Sequence, residues 1–355
     1  MKGRSGKVQK ESIICYFFYA MLIYKETLEK FMHKILENVG KIGIVPVIKI
    51  DDPEKAVPLA HALKAGGIPV AEVTFRTAQG EESIRKISKE VPDVIVGAGT
   101  VLTTDQVDRA ISAGAQFLVS PGFNPNIVSY AISKGIPILP GCCNPSDMEK
   151  ALEAGLEVVK FFPAEQAGGL DYIKAVSAPY TTLKFIPTGG ISPANIAKYI
   201  AFDRIVACGG SWMVTSDLIN AGNFDKITTL CKEAIQTMLG FSFIHLGINT
   251  ENPDNAKNAG NFFNNIFGLP CKDGTNSMFL TDQIEIMKKP GFGAKGHIAI
   301  GTNSVAKAVA YLERLGISFI PDSIKKDDGG NITFAYLKDE VAGFALHLFQ
   351  IRQRV

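Results

Sequence analysis

Eight short apolar runs, each followed by a polar turn and a helix-length segment, succeed one another between residues 44 and 210. That alternation constrains the fold more than any other property of the chain. The runs are IVPVIKI from 44, PVAEVTF from 69, VIVGAGT from 94, FLVSPG from 117, IPILPG from 136, VVKFFP from 158, LKFIPTGG from 183 and IVACGG from 205. Several intervening segments open with cap or turn chemistry: Asp51-Asp52-Pro53, Thr103-Thr104, Asn124-Pro125, Asn144-Pro145-Ser146-Asp147 and Ser192-Pro193. Side-chain oxygens of this kind satisfy the free N–H groups at a helix start, and proline is tolerated in the first turn. Apolar runs separated by helices predict parallel strands with helical crossovers, and eight such units predict a closed (β/α)8 TIM barrel, an α/β fold.

Upstream, apolar residues at Leu28, Phe31, Met32, Ile35 and Val39 have the spacing of one helix face. The barrel unit is therefore expected over 26–240. Residues 1–25 read as an N-terminal extension, with Met21 as the natural start. The basic residues Lys2, Arg4, Lys7 and Lys10 precede an apolar run from Ile13 to Tyr24. That run falls short of the roughly 20 residues a membrane span requires, and no signal-type cleavage site follows it. Net charge is +2, without basic runs interleaved with aromatics, which argues against a nucleic-acid partner. Six cysteines without C-x-x-C spacing fit a reducing, cytoplasmic setting.

Catalysis on such barrels collects at the C-terminal strand ends. Lys160 lies there, inside the apolar run Val158-Val159-Lys160-Phe161-Phe162 that stops at Pro163. Burial among such neighbours favours the neutral, nucleophilic amine that imine chemistry uses. The competing reading pairs the lysine with a buried carboxylate that merely ties strands together. Glu72, Thr74 and Arg76 share one face of the second run by parity. An imine on Lys160 would accept the electrons of a breaking carbon–carbon bond while Glu72 takes the hydroxyl proton. Arg76 offers paired donors for a 2-oxo acid carboxylate, and Thr100 can add a hydroxyl. Gly189-Gly190 and Gly209-Gly210-Ser211 end the last two runs, where barrels commonly hold phosphate on backbone N–H groups.

The series EVTFRT, VGAGTVL, SPG, PILPG, KFFPAE, PTGGISPAN and GGSWM, spread over about residues 28–240, resembles the 2-keto-3-deoxy-6-phosphogluconate (KDPG) and 4-hydroxy-2-oxoglutarate (KHG) aldolases. The resemblance implies a metal-free class I aldolase that releases pyruvate and glyceraldehyde 3-phosphate. It implies Lys160 as the imine lysine, Glu72 as acid/base, Arg76 and Thr100 on the pyruvate carboxylate, and Pro121 and Phe162 as pyruvate walls. Gly189, Gly190, Gly210 and Ser211 would form the phosphate site, and the family's usual trimer is implied with them. A different class of function treats the barrel as a sugar-phosphate binding scaffold, but binding alone needs neither a buried amine nor a base.

After residue 240 the pattern changes. FIHLGINT reads as a strand, followed by a helix from about Asp254 to Phe267 and strands near Ser277–Leu280 and Ile284–Met287. GHIAIGT, a helix from Ser304 to Leu315, and the runs ISFI, ITFAYL and FALHLF repeat that order with a period of about fifty residues. Two βαβββ modules over 241–355, with HLGI and GHIAI opening the halves, resemble the glyoxalase, bleomycin-resistance and dioxygenase superfamily, the vicinal oxygen chelate fold. That resemblance implies ligand positions at His245, Glu285, His297 and His347, a donor set suited to zinc, nickel, iron or manganese. The competing reading makes them partly covered strand residues in a ligand-sensing or assembly module.

Overall fold

The structure, a computed structural model, describes residues 34–351. The extension over 1–25, the start at Met21 and the beginning of the helix predicted from Glu26 lie outside that range. The later part of that helix is present over 34–42, with Ile35 and Val39 buried.

Each of the eight runs contains one strand: β1 Ile44–Ile48, β2 Val70–Thr74, β3 Ile95–Gly99, β4 Phe117–Ser120, β5 Ile138–Pro140, β6 Val158–Phe161, β7 Lys184–Pro187 and β8 Cys208–Gly210. Six of them form a parallel sheet in the order β5-β4-β3-β2-β1-β8, and β6 pairs in parallel with β7. A parallel bridge between Gly141 and Lys160 joins the end of β5 to β6, and bridges Phe185–Ile205 and Thr188–Gly209 carry β7 across to β8. The strands thus follow one another around a TIM-like parallel barrel in chain order. Helices cover the outside, so strands buried on both faces are largely apolar, with Glu72, Thr74, Ser120 and Lys160 as buried exceptions. Asp52, Thr103, Asn124 and Asn144 each accept a backbone N–H at a helix start. Ser192 does not open its helix: Asn195 Oδ1 takes the Ser192 N–H at 2.9 Å, and the helix begins only at Ile196.

The remaining chain forms one eight-stranded sheet: β9 Ser242–Asn249, β10 Cys271–Asp273, β11 Ser277–Leu280, β12 Ile284–Met287, β13 Gly296–Thr302, β14 Lys325–Lys326, β15 Ile332–Val341 and β16 Phe344–Gln350. Helices Pro253–Phe267 and Val305–Arg314 follow β9 and β13. The strand order is β10-β11-β12-β9-β13-β16-β15-β14, with β9 and β13 antiparallel at the centre and each parallel to the last strand of its half. The expected strand ISFI is reduced to a single bridge, Phe319–Leu337. Pro321, which has no N–H to give to a ladder, turns the chain into a short 3-10 helix at Pro321–Ser323, and the edge strand forms later at Lys325–Lys326.

The two parts share a core. Val305, Ala308 and Val309 of the second helix, with Ala335 and Leu348 of the sheet, belong to the same buried cluster as the barrel interior. The helix Phe224–Leu239 ends at Gly240 in the left-handed region (φ 57°), and the sheet satisfies its last carbonyls. Thr302 Oγ1 donates to Leu239 O at 2.6 Å, Asn303 N to the same oxygen at 2.8 Å, and Asn303 Nδ2 to Met238 O at 3.1 Å.

Lys307 reaches from the second helix to the N-terminal ends of the barrel strands. A Cβ on Gly43, just before β1, would lie 3.0 Å from its Cδ. Burial pushes the ammonium down to about 8; the neighbouring Cys208 opposes this and Lys184 adds to it. Because the folded value is depressed, the unfolded chain binds more protons between about pH 8 and the ordinary lysine value. Stability is therefore withheld below pH 8 and regained as pH rises through that window. Lys307→Met should be more stable than the parent at pH 7 by about 2 kcal/mol, allowing for partial solvent access, with the gap closing toward pH 10. Denaturant titrations of both proteins at the two pH values test this, and parallel pH profiles would contradict it.

Candidate active site and a second polar cluster

Strands β2 and β6 lie opposite one another in the ring, and their side chains meet across it. Lys160 Nζ is 3.3 Å from Glu72 Oε1, although 88 residues separate them in sequence, and the residues are 7% and 3% exposed. The amine also lies 5.2 Å from the Phe162 ring centroid. The expected greasy setting is thus present, but so is the carboxylate of the competing reading. At this distance Glu72 can both hold the ammonium and receive its proton, so the pairing suits a proton-transfer couple as well as a tie between strands.

Room for Glu72 comes from the neighbouring strand: a Cβ on Gly99 would sit 2.5 Å from Glu72 Oε1. The next residue, Thr100, has φ of 60°, a left-handed conformation unfavourable for a β-branched side chain. Arg76 is exposed just past β2, and its Nε donates to Thr74 Oγ1 at 3.1 Å. Pro121 lies just past β4, where Gly141 lets its backbone approach: a Cβ there would be 2.0 Å from Pro121 O.

Gly189 and Gly190 both have positive φ, 99° and 80°, which other residues rarely adopt. The segment after β6 lies against this turn, with Ala164 N donating to Thr188 O at 2.8 Å and Glu165 N to Gly189 O at 3.1 Å. Tyr199, almost fully buried, holds the Glu165 carboxylate through its hydroxyl. Gly210 faces the Trp212 ring, so closely that a Cβ would clash at 1.9 Å, and Ser211 beside it is exposed. Glu72 and Lys160 thus point inward from within β2 and β6, and the other barrel positions singled out from the sequence stand at or beyond the C-terminal strand ends. Thr74, Gly99 and Gly141 were missed as supports; the shared parity of Thr74 with Glu72 and Arg76 was the only signal.

A second cluster occupies one face of the C-terminal sheet. Its four central strands, β12, β9, β13 and β16, contribute Glu285, His245, His297 and His347 respectively. The Nε2 atoms of His245 and His297 are 3.1 Å apart and lie 3.3 and 3.1 Å from Glu285 Oε2. Ligand-type nitrogens of the three histidines all fall within 4.8 Å of one another. Ser277 donates to the other Glu285 oxygen at 2.5 Å. Burial opposes ionisation of Glu285, but hydrogen bonds from His245, His297 and Ser277 together outweigh it and hold the carboxyl well below the usual range. Burial pushes His347 down to about 3, the adjacent His297 and His245 adding to the effect, and among the described residues its buried Nδ1 has no hydrogen-bond partner.

Gly247 makes this crowding possible, since a Cβ there would lie 2.1 Å from the His297 ring. Phe334 packs on His347 at 4.5 Å and Tyr336 at 4.9 Å, with Phe292 on Tyr336 at 4.6 Å. Beside the cluster a cleft of about 410 Å³ is lined by Ser277 and Phe279 together with Cys271, Lys272 and Asp282. These aromatic walls were not anticipated, because alternating Phe and Tyr on β15 reads equally well as ordinary strand packing.

Among the described residues no helix is long and apolar enough to cross a membrane. The sequence pattern of the KDPG and KHG aldolases matches residues 35–230. The chain is 49% identical over 205 residues to the 2-dehydro-3-deoxy-phosphogluconate aldolase of Treponema pallidum, covering 58% of this chain and 98% of that protein. It is 46% identical to the KHG/KDPG aldolase of Escherichia coli K12 over 54% of this chain and 91% of that one. Among solved structures, KDPG aldolase from Legionella pneumophila, with pyruvate captured as a covalent carbinolamine, superposes with a TM-score of 0.55 at 38% identity over 56% of this chain and 97% of that one. With its opposed lysine and glutamate in the lumen of such a barrel, the chain belongs to the KDPG and KHG aldolase family and is a carbon–carbon lyase.

Proposed function

We propose that the barrel cleaves 2-dehydro-3-deoxy-6-phosphogluconate to pyruvate and glyceraldehyde 3-phosphate, and also 4-hydroxy-2-oxoglutarate to pyruvate and glyoxylate. The observation that carries the reading is the buried contact of Lys160 Nζ with Glu72 Oε1 at 3.3 Å, together with relatives named for these substrates. The Lys160 amine adds to the C2 ketone, and loss of water leaves an iminium. The C3–C4 bond then breaks: its electron pair forms the enamine, and the C4 hydroxyl proton passes to Glu72 as the aldehyde departs. Protonation at C3 and hydrolysis of the imine return pyruvate and the free lysine. Arg76 and Thr100 hold the carboxylate, Pro121 and Phe162 wall the methyl end, and Gly189, Gly190, Gly210 and Ser211 receive the phosphate.

Pyruvate release from a panel of 2-oxo acids tests the substrate assignment directly. Ser211→Ala should raise KM for the phosphorylated substrate about tenfold, while 4-hydroxy-2-oxoglutarate, which has no phosphate, should change less than twofold. Equal losses on both substrates would remove the phosphate from this position.

A second reading concerns the C-terminal sheet. We infer that His245, Glu285, His297 and His347 hold one divalent transition metal. Three imidazoles and a carboxylate converge there from four adjacent strands, a donor set that fits zinc, nickel, iron or manganese. Ser277 would orient Glu285 from behind. Such an ion would polarise oxygen ligands of a small carbonyl compound in the adjoining cleft. The repeated strand–helix–three-strand order supports kinship with the vicinal oxygen chelate fold.

A further inference from the structure

We infer that Thr74 is a positioning residue that sets the Arg76 guanidinium for the carboxylate of a 2-oxo acid; the inference rests on the reading of Arg76 given above. Thr74, the last residue of β2, is 1% exposed. Its hydroxyl donates to Ile48 O on β1 at 2.8 Å, so its one proton is committed. Toward Arg76 Nε, 3.1 Å away, it can therefore act only as an acceptor.

That polarity has a consequence for the guanidinium. With Nε satisfied by the protein, the two terminal nitrogens keep their donors for a ligand, and among the described residues no carboxylate pairs with them. A planar fork fixed at its inner nitrogen presents the paired donors that match a carboxylate. The backbone around Arg76 is pinned as well. Phe75 N donates to Gly99 O at 2.8 Å, and Thr77 Oγ1 donates to Ile50 O at 2.7 Å. Two threonines thus bracket Arg76 and tie it to the end of β1, while the exposed guanidinium has Thr74 as its side-chain anchor. Valine at 74 would keep the volume and remove both hydrogen bonds.

The test is a double-mutant cycle read by borohydride trapping of the pyruvate imine and by steady-state cleavage. Thr74→Val should raise the half-saturating pyruvate concentration about tenfold with kcat changed less than threefold, and Thr74→Ser should restore it. In an Arg76→Ala background, Thr74→Val should add nothing further. If the threonine change costs the same with and without Arg76, or costs nothing in either, Thr74 does not act through the guanidinium and the inference fails. If Arg76→Ala itself leaves the pyruvate dependence unaltered, the carboxylate reading of Arg76 fails, a separate outcome that takes the inference with it. Should Thr74→Val not fold, comparison of Thr74→Ser with Thr74→Ala carries the same cycle.

Discussion

Lys160→Ala should leave no measurable aldol cleavage and no borohydride-trapped pyruvate adduct. The expected loss is at least about 10⁴-fold, because the amine supplies both the covalent link and the electron sink. Lys160→Arg sharpens the test. A guanidinium keeps the positive charge opposite Glu72 and so preserves any strand-tying ion pair, but it cannot be deprotonated to attack a ketone. The arginine variant should therefore fold and remain inactive. Cleavage retained in it would mean that the Lys160–Glu72 pair is scaffolding, and adduct formation persisting in the alanine variant would assign the imine to another amine.

The second large expected effect follows from the proposed metal site and is loss of metal binding when its histidines are removed. Purified protein incubated with zinc or nickel and freed of excess should hold about one equivalent per chain, and His245→Ala/His297→Ala should hold less than a tenth of that. These two rings bracket Glu285 Oε2, so their removal takes away two of the four proposed donors and two of the three hydrogen bonds that lower the carboxyl, leaving that from Ser277. Elemental analysis by mass spectrometry decides it. Parent protein that retains no metal would leave the cluster as a hydrogen-bonded network within the sheet.

Much of this was legible in the sequence because the determinants are local. A strand buried on both faces is apolar along most of its length, so β1 to β8 announced themselves, and Lys160 stood out as a charge within β6. Asn124-Pro125 and Asn144-Pro145 marked helix starts through chemistry that acts within three residues. The histidines of β9, β13 and β16 were singled out by the resemblance to the vicinal oxygen chelate fold, and they lie together on one face of the sheet.

What escaped notice depends on groups brought together only by folding. Edge strands β10 and β14 are short and charged, without apolar alternation, so nothing in CKD or KK distinguishes them from loop. Gly99 and Gly247 matter because of the Glu72 and His297 side chains that fill the space a Cβ would occupy, and those neighbours come from other strands. Thr74 looked like one more lumen-facing residue until Ile48 and Arg76 fixed its hydroxyl from two sides. The packing of helix Val305–Arg314 beneath the barrel had no signature in the chain, since Ala308 and Val309 would be equally at home against their own sheet.

That helix sits under the barrel: Ala310, Glu313 and Arg314 line a cleft with Pro69, Asp93 and Ile95, where β2 and β3 begin, whereas Lys160 and Glu72 work toward the other end. Whatever is released at the mouth emerges on the side away from the appended sheet. A metabolite shared by both parts would therefore leave the mouth before reaching the sheet, and added free metabolite should mix with it. Fusion in one chain thus fixes equal numbers of the two units and sets the sheet at the end of the barrel away from its mouth.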